Sequence, residues 1–178
     1  VEATRLEQSP ETYGALLTLL ARQPQVVHRV RTENRFLRIT ANPQGDTVYV
    51  TENAPFVRAI DAETGETRWV IQMPKGGQAL QPAITADGRG LIVPEGGDNP
   101  GVVRMDAATG EVVWATRDLG RVAPGASRWV GDGGLRADGR YVVTTESHVL
   151  TLDPDTGAIL DATAWPEPMP YSEVFRVW

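Results

Sequence analysis

Three stretches of this 178-residue chain are copies of one another. Val57–Trp69 reads VRAIDAETGETRW, Val102–Trp114 reads VVRMDAATGEVVW, and His148–Asp161 reads HVLTLDPDTGAILD. Each joins two apolar, alternating runs through a turn that opens on Asp and closes on Thr-Gly. The aligned aspartates, Asp61, Asp106 and Asp153, fall 45 and then 47 residues apart. A carboxylate at the head of such a turn can accept backbone N–H bonds across it, and the Thr hydroxyl can assist. Glycine supplies the positive φ that reverses the chain without a Cβ clash. Trp69 and Trp114, four residues beyond the glycines, then fall on the next strand, where an indole buries a large area and offers one N–H. A residue needed once for chemistry need not recur at this period, whereas a turn needed in every structural unit must. These aspartates are therefore read as turn-formers.

The residues between the copies complete the unit. Phe36–Ala41 and Thr47–Thr51 read as strands around the turn Asn42–Asp46, followed by strands at Phe56–Ile60 and Glu66–Gln72. The second unit repeats this with Pro82–Ala86, Leu91–Val93, a longer loop Pro94–Pro100, Val102–Met105 and Glu111–Thr116. The third has Gly133–Ala137, Tyr141–Thr145, Val149–Leu152 and Ala158–Ala162. Four short antiparallel strands in about 40 residues, repeated at this period, make a β-propeller blade. The expected fold is all-β: three blades (residues 36–73, 82–118 and 133–165) and one extra strand, Tyr171–Trp178, in an incomplete ring spanning 26–178. Residues 1–25 are expected to be a helical linker. Ser9-Pro10-Glu11 is a helix start, Tyr13, Leu16, Leu17 and Leu20 keep helical spacing, and Pro24 ends it.

Composition narrows function. The net charge of −6 argues against nucleic acid or an anionic membrane surface as partner. There is no cysteine, which excludes disulfides, thiolate metal sites and Cys nucleophiles. No apolar run reaches the roughly 18–20 residues of a membrane span. The opening VEATRLEQSPET lacks the basic and apolar regions of a signal peptide; this favours a cytoplasmic location without fixing the side of the membrane. His28 and His148, far apart on expected strands, give no basis for a Ser-His-Asp arrangement.

Ala59, Asp61, Gly65 and Trp69 resemble the docking pattern Ala-x-Asp-x-x-x-Gly-x-x-x-Trp of pyrroloquinoline-quinone-type propeller repeats. Asp106, Gly110 and Trp114 match in the second copy, where Arg104 replaces Ala. Only Asp153 and Gly157 match in the third, where Asp161 replaces Trp, so either Trp165 makes that contact differently or the interface there is weaker. Asp87-Gly88-Arg89 and Asp138-Gly139-Arg140 are similar to the turns of WD-repeat blades. Ser9-Pro10-Glu11-Thr12, Leu16-Leu17, Leu20, Arg22 and Pro24 resemble the linker that leads into WD-like repeats in actinobacterial STAND-type signalling NTPases. That resemblance implies the sensor or protein-interaction part of a larger regulator, although no phosphate loop lies in these residues.

The leading functional reading is thus a non-enzymatic binding and scaffold module. The alternative is an envelope assembly or scaffold propeller, and a quinone-dependent dehydrogenase ranks below both. No cofactor, catalytic residue or metal ligand is expected. The insertions that interrupt the repeat, Pro94–Pro100 and Gly120–Gly134, are the candidate partner surface, with Arg121, Arg128 and Trp129 facing an anionic or aromatic partner. Expected partners are a protein, the remaining domains of a longer polypeptide, or a small ligand. Three blades do not close a ring, so a longer native chain, self-association or partial instability is expected.

Overall fold

The computed structural model describes residues 30, 31, 34–117, 119 and 130–165. The expected helix over 1–25, His28, the partner-surface residues Arg121, Arg128 and Trp129, and the strand Tyr171–Trp178 all lie outside these residues.

The described chain forms three four-stranded antiparallel sheets, each taken in chain order. The first contains β1 (Phe36–Ala41), β2 (Thr47–Glu52), β3 (Phe56–Asp61) and β4 (Thr67–Gln72). The second contains β5 (Ala83–Ile84), β6 (Gly90–Glu95), β7 (Gly101–Asp106) and β8 (Val112–Thr116). The third contains β9 (Val130–Leu135), β10 (Tyr141–Thr145), β11 (His148–Leu152) and β12 (Ile159–Ala164). This is the all-β blade architecture expected from the repeat. The strands that approach one another between sheets include the first of each, β1, β5 and β9, which places them on the inner side of the arc.

Period-two alternation sends each strand's apolar residues to the two sheet faces, and the sheets bury those faces against each other. Tyr49, Val57 and Ala59 of the first sheet pack with Leu91, Val93, Val103 and Met105 of the second. Ile92 and Val102, from the other face of the second sheet, pack with Tyr141, Val143, Leu150 and Leu152 of the third. The second sheet is therefore covered on both sides, and every residue of β6 is buried. That is why Leu91-Ile92-Val93 reads as a continuous apolar run. Each fully buried Leu or Val contributes about 1.5–3 kcal/mol by leaving water.

Register identifies equivalent positions. Tyr49 pairs with Ala59, and Ala59 with Trp69. Ile92 pairs with Arg104, and Arg104 with Trp114. In the third sheet the corresponding row is Val142, Thr151 and Asp161.

Several strand limits differ from expectation. β9 begins at Val130 and stops at Leu135, because Arg136–Arg140 is a turn closed by Arg136 N–H to Arg140 O at 2.9 Å. Its glycines hid it among loop-like sequence. β5 is only Ala83–Ile84, since Pro82 has no N–H to donate. Pro94 and Glu95 belong to β6, so the interrupting loop is shorter than expected, residues 96–100.

Candidate functional site

The repeated turns are built alike. Asp61 Oδ1 accepts the N–H groups of Glu63 at 2.9 Å and Thr64 at 2.8 Å. Asp106 Oδ1 does the same for Ala108 and Thr109, both at 2.9 Å. Asp153 Oδ1 holds Asp155 at 2.9 Å and Thr156 at 2.8 Å. Gly65, Gly110 and Gly157 take φ of 73°, 77° and 72°. In the first copy Arg68 Nη2 also donates to Asp61 Oδ2 at 2.6 Å. That hydrogen bond, followed by the Thr64 N–H, holds the Asp61 carboxyl down at about 2. The Thr156 backbone N–H holds the Asp153 carboxyl below the usual carboxylate range.

The turns receive the preceding sheet. Trp69 Nε1 donates to Ala107 O, the residue after Asp106, at 3.2 Å. The Tyr49 hydroxyl donates to the same carbonyl at 3.1 Å. One sheet later, Trp114 Nε1 donates to Pro154 O at 3.1 Å and Arg104 Nη1 to the same oxygen at 3.0 Å. Arg104 also pairs with Asp155 at 2.8 Å. Its departure from Ala thus has a purpose in this chain. With Ile92 in the place of Tyr49, the arginine restores the second donor that the tyrosine supplies between the first two sheets. The indoles lie on the turn glycines. A Cβ at Gly157 would stand 2.6 Å from Trp114 Cε3, and one at Gly110 would stand 3.1 Å from the Trp69 ring.

Trp165 does not replace the missing indole of the third copy. Its Nε1 donates to Thr145 O at 3.2 Å, inside its own sheet, because it follows β12 and is four residues beyond the docking position. Asp161 occupies that position and is exposed.

At the opposite end of the strands lie the loops 53–55, 73–82 and 96–100, organised by two buried carboxylates. Glu52 and Glu95 each end the second strand of their sheet and are 1% and 0% exposed. Glu52 accepts from Arg58 Nε and Asn34 Nδ2, both at 3.0 Å. Glu95 accepts the N–H groups of Lys75 and Gly77 at 3.0 Å and pairs with Arg117. Gly77 lies so close to Gly96 O that a Cβ would be 2.0 Å from it. Neither glutamate was singled out from sequence. The available signal was their shared position at the end of an apolar strand, a costly place for a carboxylate unless partners wait there.

On the inner side, Asp132 of β9 gathers all three sheets. Its Oδ2 accepts from Arg38 Nη2 of β1 at 3.3 Å, and its Oδ1 from the Gln81 N–H, ahead of β5, at 3.3 Å. Beside it lies a hollow of about 310 Å³, lined by Gln81, Asp132, Gly134, Leu135, Arg136 and Val142 among others. Among the described residues, no group of three or more His, Asp or Glu side chains is placed to hold a metal ion.

Residues 17–177 match the family model described as outer membrane protein assembly factor BamB. No curated protein matches the chain. Among solved structures, U3-55K is similar at TM-score 0.65 and 14% identity over 78% of this chain and 42% of that one. BamB from Moraxella catarrhalis is similar at TM-score 0.59 and 20% identity over 76% and 38%. The dihydro-heme d1 dehydrogenase NirN is similar at TM-score 0.66 and 16% identity over 81% and 31%. The chain therefore spans less than half the length of each of these structures. At such identities the likeness concerns the fold, which propellers of unrelated activity share. With the family model covering most of its length, this chain belongs to the BamB-type family of PQQ-like propeller repeats.

Proposed function

We propose that this chain is a non-enzymatic, protein-binding scaffold module of a longer polypeptide, and that it binds through the end of the propeller carrying loops 73–82 and 96–100. One observation carries the reading. The buried Glu95 fastens two loop N–H groups and Arg117 to the sheet, which presents those loops as a rigid surface. Pre-organised loops lose less freedom on binding, and that favours recognition. The opposite end is consumed by turns that serve sheet-to-sheet docking.

A photoreactive residue at Asp98, exposed in the 96–100 loop, tests this in cells producing the full-length protein. A discrete protein adduct from position 98, absent from position 108 on the turn end, is the expected result. Equal labelling at both positions would remove the assignment.

Two settings suit such a module. The linker resemblance at Ser9–Pro24 favours the sensor propeller of a signalling NTPase, and this is the setting we propose. The family match favours an envelope scaffold instead. Cell fractionation and the complete reading frame separate them. A cytoplasmic protein with an upstream phosphate loop supports the first, whereas a signal peptide with recovery in the envelope establishes the second.

A further inference from the structure

The face that each sheet turns to its successor has a consistent chemistry in the first two sheets and the reverse in the third. Tyr49 and Trp69 are donors, as are Arg104 and Trp114, and all four reach a carbonyl of the next turn. In the third sheet the same row is Val142, Thr151 and Asp161. Both large donors are gone, and an exposed carboxylate stands in the indole's place. Nearer the inner edge this face is hollow. Gly134 pairs with Val142, a Cβ on Gly134 would meet nothing within 4 Å, and the space of about 310 Å³ lies against Asp132. Arg136, which also lines it, is paired with Asp138 at 3.6 Å.

A standard blade offers this face a turn carbonyl. Against Asp161 that carbonyl would meet another acceptor, and the small Val142 and Gly134 would leave the hollow unfilled. The complementary surface has the opposite character: a cationic donor for the carboxylates, on a long or bulky stem that fills the space. An Arg or Lys side chain combines an apolar stem with a charged head.

We propose that the outward face of the third sheet docks a polypeptide element carrying Arg or Lys side chains, which pair with Asp161 at the rim and reach toward Asp132 at the inner edge. This surface is separate from the loop end and goes beyond the protein-binding reading given for it.

The experiment is fluorescence anisotropy on the intact chain. The probe is a labelled nine-residue peptide alternating Arg with Val and Tyr, and its twin carries Glu in place of Arg. The basic peptide is expected to bind at least about tenfold tighter than the acidic one, a preference of about 1.4 kcal/mol. Asp161→Lys should abolish that preference and Asp161→Asn should reduce it. Glu111→Lys makes the same charge change on an exposed residue in the turn just ahead of β8 and should preserve it. Circular dichroism of each variant confirms that the fold is retained. Equal binding of the two peptides overturns the proposal. So does an effect of Glu111→Lys as large as that of Asp161→Lys, because attraction would then follow net charge alone. Light scattering that shows a dimer broken by Asp161→Lys would assign the face to a second copy and overturn it as well. A failure here leaves the cross-linking result at position 98 untouched.

Discussion

Asp61 and Arg68 show how one pair ties a turn to its strand. An aspartate whose native value lies below its unfolded value of about 3.9 stabilises the fold at higher pH. It loses that contribution as pH falls toward the native value, here about 2. The acid limb between about pH 4 and pH 2 should therefore be shallower for Asp61→Asn than for the parent chain. Urea midpoints measured across that range check this, and parallel curves would contradict it. The indoles set a second residue-scale expectation. Trp69→Ala removes a ring packed on Gly110 and a bond to Ala107 O, and should cost about 3–5 kcal/mol. A loss under about 0.5 kcal/mol would mean that the ring contributes little to docking. The turn aspartates, glycines and indoles were legible because they recur. Arg104 was visible only as a departure from the pattern, since its partners Pro154 and Asp155 lie 50 and 51 residues away.

Among elements, the loop joining the first and second sheets depends on one side chain of β6. Glu95→Ala would leave two backbone N–H groups without their acceptor and take the carboxylate from Arg117, which among the described residues keeps only its bond to Asn99 O at 3.0 Å. Removing one member of a buried charged pair costs about 3–5 kcal/mol. Hydrogen exchange should show the Lys75 and Gly77 amides losing protection first, and unchanged protection there would show that the loop is held by other contacts. The strands themselves were readable wherever alternation was strong, as in Thr47-Val48-Tyr49-Val50. β9 was displaced in the sequence reading because Gly131, Gly133 and Gly134 carry no pattern. Gly133 is small for a reason that folding alone reveals: its Cβ would stand 2.3 Å from the Tyr141 hydroxyl. That hydroxyl is buried with no hydrogen-bond partner among the described residues, and burial pushes its ionisation far up.

Across the whole molecule, each outer sheet packs on the middle one, so cooperativity should follow nearest-neighbour contacts as in other repeat architectures. Trp114→Ala severs a bond between the second and third sheets. It should therefore lower amide protection in β9–β12 more than in β1–β4. Hydrogen exchange read by strand decides this, and a uniform loss would mean that the three sheets unfold as one unit. The Asp132 contacts with Arg38 and Gln81 are the countervailing link, because they tie the third sheet to both of the others on the inner side. At 3.3 Å, with both charged side chains partly exposed, they should couple more weakly than the packed core.

The sequence alone determined the blade. A turn every 45 to 47 residues, with alternation on either side, leaves one economical solution, since local backbone geometry and burial both repeat with it. Tertiary structure decided what each copy faces. The second donors to Ala107 and Pro154, the loop fastened by Glu95 and the meeting of Arg38, Gln81 and Asp132 join residues that only the stacking of sheets brings together. The third sheet's outward face belongs to the same class. Asp161 reads in sequence as a lapse in the repeat, and becomes a reversal of donor and acceptor chemistry once it is placed in register with Trp69 and Trp114.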